Sequence, residues 1–169
     1  MIDTQVHELA ERLGRALQAR GWMLGTAESC TGGLVAGAVT SVAGSSGWFD
    51  RGFVTYTNDA KVDQLGVAPQ TLAQHGAVSE QVARQMATGV LAACPSVHVA
   101  VSTTGIAGPG GAVPGKPVGT VCFGIAQRSE DGLVVCAATR HFEGDRARVR
   151  RESVVYALSA LLQFSEQGC

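Results

Sequence analysis

The stretch Thr26–Gly33 constrains the fold most, because its sequence T-A-E-S-C-T-G-G follows a short β-like run and precedes a run of small residues with helical character, Leu34–Thr40. A junction between a strand and a helix presents side chains at a sheet edge, and its backbone N–H groups favour an anion. Two hydroxyls and a thiol lie at this junction, on Ser29, Thr31 and Cys30. The stretch therefore supports two interpretations: a glycine-rich turn with Ser29 or Thr31 as a helix cap, or a reactive site.

The remaining chain alternates between helical and β patterns. Apolar residues at helical spacing predict long helices at 3–20, 79–93 and 145–164, with shorter helices from 58 and at 69–75. Runs rich in β-branched residues predict strands at 22–28, 51–57, 97–104, 118–126 and 133–141. This order predicts an α/β fold, a three-layer α/β/α sandwich with a mixed sheet of about five strands. The chain has no linker or composition break, so residues 1–169 are expected to form one domain.

Composition and charge exclude several classes of function. The net charge of -1 and a pI near 6.4 give no basis for binding nucleic acid or an anionic membrane. No apolar run approaches the roughly 20 residues of a membrane span, and the N-terminus lacks a signal-peptide pattern. The five cysteines are dispersed, odd in number and without a C-x-x-C pair. They predict reduced thiols in a cytoplasmic protein and argue against a disulfide framework or a zinc site.

Three further patterns favour ordinary structural roles. The segment 110–116 matches G-x-x-x-x-G-K, but Pro117 stands where a phosphate loop needs a hydroxyl, and a strand follows where that motif needs a helix. The four histidines are far apart in sequence, so no metal is expected, and His98 is expected to be packed or hydrogen-bonded. Arginines between 140 and 151 alternate with acidic residues, which is typical of a solvated helix face.

Three polar side chains remain near predicted strand ends: Ser29, Lys61 after the next strand, and Thr104 at the end of the central strand. The carboxyl ends of strands are where α/β proteins place their sites. A serine needs a base, and a lysine can serve once desolvation or a nearby cation lowers its pKa from about 10.4. The amides of Gly32 and Gly33 are expected to form an oxyanion hole. This pattern indicates amidase or acyl-transferase chemistry.

Six blocks of distinctive sequence follow one another along the chain: A-E-S-C-T-G-G (27–33), G-S-S-G-W-F-D-R-G-F-V-T-Y-T-N-D-A-K (44–61), L-A-Q-H-G-A-V-S-E (72–80), T-G-I-A-G-P-G-G (104–111), K-P-V-G-T-V (116–121) and G-D-R (144–146). Together they resemble the CinA C-terminal domain family over nearly the whole chain, and its stand-alone members most closely. The resemblance implies the same three-layer fold. It also implies hydrolysis of the carboxamide of nicotinamide mononucleotide to nicotinate mononucleotide and ammonia, without a metal or organic cofactor.

The family's motif positions imply roles for individual residues. The nucleophile falls on Ser29, its base on Lys61 and a third polar partner on Thr104, with Tyr56 and Arg146 lining the site. The expected binding surface also contains Glu28, Cys30, Thr31, Gly32, Gly33 and Gly105. A small-molecule nucleotide is then the partner, and a homodimer is a weaker expectation.

Several alternatives stay open at this point. Glu28 either acts on the substrate or hydrogen-bonds the backbone of the glycine turn. Cys30 is a rival nucleophile, since a thiol is intrinsically the better one, but adjacent side chains diverge in direction and the family carries the role on Ser29. A non-catalytic nucleotide-binding or regulatory module would keep the pocket and lack turnover.

Overall fold

The computed structural model describes residues 3–169. Its helices are α1 (Thr4–Arg20), α2 (Leu34–Thr40), α3 (Asn58–Leu65), α4 (Pro69–His75), α5 (Glu80–Ala93) and α6 (Arg146–Gln167). Its strands are β1 (Leu24–Glu28), β2 (Phe49–Val54), β3 (Val99–Gly105), β4 (Thr120–Ser129) and β5 (Gly132–His141), and a 3₁₀ turn (Ser45–Gly47) precedes β2. Most bounds lie within about three residues of the predicted ones. Strand β2 ends earlier than predicted because Thr57 serves as the N-cap of α3, accepting a hydrogen bond from the amide of Ala60.

The five strands form one mixed sheet in the order β2-β1-β3-β4-β5. Strand β1 runs parallel to β2 and β3, whereas β4 is antiparallel to both β3 and β5. The predicted central strand, β3, therefore is central. Since β1, β2 and β3 are parallel, their carboxyl ends lie at one edge of the sheet.

Helices cover both faces of the sheet, which confirms the predicted three-layer architecture. One apolar cluster joins the sheet to α1, α2 and α6, and a second joins it to α3, α4 and α5. Gly89 lets α5 approach α3 closely, because a Cβ at this position would overlap the carbonyl oxygen of Leu65. Across residues 3–169, no helix combines the length and apolar character needed to cross a membrane.

The cysteines depart from the sequence expectation. Cys136 on β5 and Cys169 near the C-terminus form a disulfide, with their Cα atoms 5.9 Å apart. The prediction of reduced thiols is therefore wrong for this pair. Cys30, Cys94 and Cys122 are free and buried. The number and spacing of cysteines cannot show which of them become neighbours, and here the return of α6 toward β5 decides it.

Candidate active site

A cleft of about 220 Å³ opens where β1, β2 and β3 end. It brings together Ser29, Lys61 and Thr104, the three side chains that the sequence placed at strand ends. Its other lining residues are Cys30, Tyr56, Ala77, Val78, Gly105, Ala107 and Arg146. The predicted site residues that do not line it are Glu28, Thr31, Gly32 and Gly33.

Ser29 and Lys61 form the chemical centre of the cleft. Lys61 lies on the first turn of α3, and only 1% of its surface is exposed. Its Nζ atom lies 3.0 Å from Ser29 Oγ, and it donates to the carbonyl oxygens of Thr55 at 2.8 Å and Tyr56 at 3.3 Å. Both carbonyls belong to the segment that follows β2. The early end of β2 thus provides the two acceptors that hold the lysine.

Burial lowers the pKa of Lys61 from 10.5 to about 8, because desolvation penalises the ammonium form. The three neighbours of Nζ suit both protonation states. An ammonium donates to all three oxygen atoms. A neutral amine keeps two N–H groups for the carbonyls of Thr55 and Tyr56, which can only accept, and its lone pair then faces the Ser29 hydroxyl. The geometry therefore allows a neutral Lys61 amine to accept the proton of the Ser29 hydroxyl.

Of the two roles open to Glu28, the structure shows hydrogen bonding to the backbone. Its carboxylate is buried and accepts hydrogen bonds from the hydroxyl of Thr31 at 2.6 Å and from the amides of Val35 and Ala36 at 2.8 and 3.0 Å. The Thr31 hydroxyl also contacts that of Thr103 at 2.7 Å. Both side chains therefore anchor the first turn of α2, and neither side chain lines the cleft.

The glycine amides also differ from the predicted oxyanion hole. The amide of Gly32 donates to the carbonyl of Ser29 at 3.0 Å, so it closes the turn. Gly33 is the N-cap of α2, and its φ of 98° is a conformation that glycine adopts without strain. Gly105 lines the cleft at the end of β3. The carbonyl of Thr103, two residues earlier, points toward β1, where it accepts from the amide of Ser29 at 3.0 Å. Since alternate residues of a strand direct their backbone groups to the same neighbour, the amide of Gly105 also points toward the end of β1.

Cys30 lines the cleft beside Ser29, but its thiol is poorly suited to attack. Burial raises its pKa from 9.0 to about 12, and the negative charge of Glu28 contributes in the same direction. The thiolate, which is the reactive form, is therefore rare at neutral pH.

Arg146 reaches the cleft from the start of α6. It donates to the carbonyl of Gly108 and to the hydroxyl of Tyr56, both at 2.9 Å. Arg150, one turn later, donates to the carbonyls of Cys30 and Thr31 at 3.1 and 3.3 Å. Sequence reasoning assigned Arg150 to a solvated helix face. The signal that could have found it is its i,i+4 spacing from Arg146, which places both arginines on one side of α6.

Thr104 lies in the cleft, but its hydroxyl donates to the carbonyl of Ala77 at 2.8 Å. Within residues 3–169 it makes no hydrogen bond to Ser29 or Lys61, so the structure does not form a proton relay through it. Its contact fixes the segment that carries Ala77 and Val78, two cleft residues that sequence reasoning missed because small apolar side chains carry no chemical signature.

The G-x-x-x-x-G-K match and His98 have the structural roles that the sequence favoured. Lys116 of the G-x-x-x-x-G-K match donates to the carbonyl of His75, and β4 follows it. His98 accepts from the amide of Met23 at 2.9 Å, which confirms a hydrogen-bonded histidine. Among the residues that the structure describes, no three His, Cys, Asp or Glu side chains are grouped as metal ligands.

Comparison with known proteins identifies relatives along nearly the whole chain. Residues 6–165 match the CinA C-terminal domain. Nicotinamide-nucleotide amidohydrolase PncC of Enterobacter agglomerans is 54% identical over 163 residues, which cover 96% of this chain and 97% of that protein. PncC of Escherichia coli K12 is 52% identical over 165 residues and 96% of each chain. The crystal structure of the competence/damage inducible protein CihA from Agrobacterium tumefaciens superposes with a TM-score of 0.89 at 46% identity and covers 99% of both chains. These matches confirm the resemblance read from the six sequence blocks: the chain belongs to the CinA C-terminal domain family.

Proposed function

We propose that this protein hydrolyses the carboxamide of nicotinamide mononucleotide, with Ser29 as the nucleophile and Lys61 as its general base. The observation that carries the proposal is the buried Lys61 amine, whose Nζ lies 3.0 Å from Ser29 Oγ. Its other two hydrogen-bond partners are the carbonyl oxygens of Thr55 and Tyr56, which can only accept. The substrate comes from the relatives, which are named nicotinamide-nucleotide amidohydrolases and are more than 50% identical over almost their full length.

In the proposed first step, neutral Lys61 takes the Ser29 proton as Oγ attacks the carboxamide carbon. The negative charge on the former carbonyl oxygen is stabilised by backbone amides at the strand ends, among them that of Gly105. When the C–N bond breaks, the Lys61 ammonium returns the proton to the leaving nitrogen, and ammonia departs. An ester of nicotinate mononucleotide on Ser29 remains.

In the second step, Lys61 takes a proton from water as the water oxygen attacks the ester. The C–Oγ bond then breaks, Ser29 regains its proton, and nicotinate mononucleotide is released. The pyridinium charge of the substrate makes the amide carbon electrophilic. The ribose phosphate supplies binding energy away from the reacting atoms, which can be used for positioning. Arg146, exposed at the cleft, is the cation we assign to the phosphate.

Ammonia release from nicotinamide mononucleotide, compared with nicotinamide and its riboside, tests this function. We expect turnover of the mononucleotide, and its loss in Ser29→Ala with the fold retained. Mass spectrometry of a rapidly quenched reaction should find the acyl group on the peptide that contains Ser29. Ligand-induced thermal stabilisation without ammonia release would instead indicate a non-catalytic binding module. Activity in Ser29→Ala that is lost on adding Cys30→Ala would move the nucleophile to the thiol.

A further inference from the structure

The first two turns of α6 hold together the three segments that follow the parallel strands. Arg146 binds the carbonyl of Gly108, after β3, and the hydroxyl of Tyr56, after β2. Arg150 binds two successive carbonyls after β1, those of Cys30 and Thr31. These contacts span 119 and 120 residues of sequence and reach the peptide units 30–31 and 31–32, one residue beyond Ser29. The mechanism above uses Ser29 and Lys61 but does not use Arg150.

The direction of these carbonyls determines the direction of an amide. The C=O and N–H of one planar peptide unit point in opposite directions, so the bond from Arg150 to the carbonyl of Cys30 turns the amide of Thr31 away from α6. Helices α2 and α6 cover the same face of the sheet. Glu28 points toward α2, and side chains alternate along a strand, so Ser29 points to the opposite face, where Lys61 lies. The amide of Thr31 is thereby turned toward the Ser29 side.

We infer that Arg150 is a positioning residue of the active site: it orients and polarises the Thr31 amide so that this amide, with that of Gly105, stabilises the oxyanion. A guanidinium on the carbonyl side of a peptide unit increases the positive character of its N–H, because hydrogen bonds in a chain polarise one another. This role rests on the proposed amidohydrolase function. It replaces the predicted oxyanion donors Gly32 and Gly33, of which Gly32 donates inside the turn.

The inference distinguishes arginine from lysine at position 150. The guanidinium binds two carbonyls at once, through Nε and Nη2, in a planar fork. An ammonium keeps the charge but lacks the fork geometry. Arg150→Lys should therefore recover part of the activity that Arg150→Gln loses. If only a positive charge were needed at this position, Arg150→Lys would have the full wild-type activity.

The experiment compares Arg150→Gln, Arg150→Lys and a matched control, Arg151→Gln. Arg151 is the next residue of α6, is also half-buried, and binds Asp3 and Gln5 on the α1 side, away from the cleft. We expect Arg150→Gln to lower kcat for ammonia release by ~10- to 100-fold with KM changed by less than about threefold, since displaced catalytic groups reduce transition-state stabilisation more than substrate binding. Arg150→Lys should lie between Arg150→Gln and the wild type. Arg151→Gln should keep the wild-type kcat.

A purely structural role predicts a different result. In that case kcat would fall only in proportion to the fraction of folded protein, and this outcome, or an unchanged kcat in Arg150→Gln, overturns the inference. The pH midpoint of kcat/KM should stay at the wild-type value in Arg150→Gln, because Lys61 keeps its neighbours. A displaced midpoint would show that Arg150 acts through the lysine, which also contradicts the proposed role.

Labelling of Ser29 by a fluorophosphonate separates this inference from the proposed function. In that reaction Oγ displaces fluoride from phosphorus, the hydroxyl proton passes to Lys61, and charge develops on a phosphoryl oxygen. If the wild type releases no ammonia from nicotinamide mononucleotide, the proposed function fails. Slower labelling per folded molecule in Arg150→Gln than in Arg151→Gln would still support the inference. Equal labelling rates, or no labelling of the wild type, would overturn it.

Discussion

The pH dependence of ammonia release should report the protonation of Lys61. Burial lowers its pKa to about 8 from 10.5. At pH 7 about one molecule in ten then carries the neutral amine, against about one in 3,000 for an unperturbed lysine. Desolvation thus increases the population of the base by about 300-fold. A base of lower pKa is a weaker proton acceptor, so the gain in rate is smaller than the gain in the fraction of neutral Lys61.

The assay is the initial rate of ammonia release at subsaturating nicotinamide mononucleotide between about pH 5.5 and 9.5. We expect kcat/KM to rise about tenfold per pH unit in the acidic range and to level off above about pH 8. Lys61→Met should lower kcat/KM by about 10²- to 10⁴-fold, as expected for loss of a general base. Lys116→Met is the matched control, because Lys116 is the only other lysine of the sequence and does not line the cleft. It should keep both the rate and the profile of the wild type.

A profile that is flat, or a midpoint at or above about pH 10, would refute the reasoning, since Lys61 would then not titrate as a buried base. Wild-type activity in Lys61→Met would remove the residue from the mechanism altogether.

Stability gives a second measurement of the same pKa. Between about pH 8 and 10.5 the folded protein binds fewer protons at Lys61 than the unfolded chain does, so its free energy of unfolding increases with pH. Above this window both forms are neutral, and below it the folded protein bears the full cost of the buried charge. Relative to Lys61→Met, the wild type should gain up to about 3 kcal/mol across the window in denaturant titrations. Parallel pH dependences of the two proteins would contradict this prediction.

The remaining predictions concern four residues. Cys30→Ala should retain steady-state activity within about threefold, since a thiol of pKa about 12 is almost wholly protonated at pH 7; an activity as low as that of Ser29→Ala would be evidence against this view. Glu28→Gln should lower the free energy of unfolding by roughly 1–3 kcal/mol, as it weakens charged hydrogen bonds to the amides of α2; an unchanged urea midpoint would contradict that. Thr104→Val should raise KM more than it lowers kcat, since the hydroxyl holds the Ala77 carbonyl, whereas a large loss in kcat at constant KM would indicate that Thr104 takes part in proton transfer. Gly89→Ala should destabilise the protein by about 1–3 kcal/mol through overlap with the backbone of α3, and thermal unfolding tests this.

Much of the fold can be predicted from the sequence because its signals are local. The predicted helices 79–93 and 145–164 begin at Ser79 and Asp145, and each of these side chains caps its helix by accepting a hydrogen bond from an amide three residues later. Runs rich in β-branched residues predict the five strands. Since parallel strands end at one edge of the sheet, these elements also predict that Ser29, Lys61 and Thr104 meet.

The direction of side chains and their distant partners depend on tertiary structure. The sequence A-E-S-C-T-G-G is compatible with Glu28 on either side of the turn, and packing of α2 on the sheet selects the side away from the cleft. The roles of Arg150 and of the Cys136–Cys169 pair likewise require α6 to return across the sheet. The amino-acid sequence by itself determined which elements form and which of their ends carry reactive groups, because these depend on neighbours within a few residues. Only the tertiary structure decided that Lys61 is desolvated beside Ser29 and that α6 binds the turn after Ser29, because burial and long-range hydrogen bonds exist only once the layers have packed.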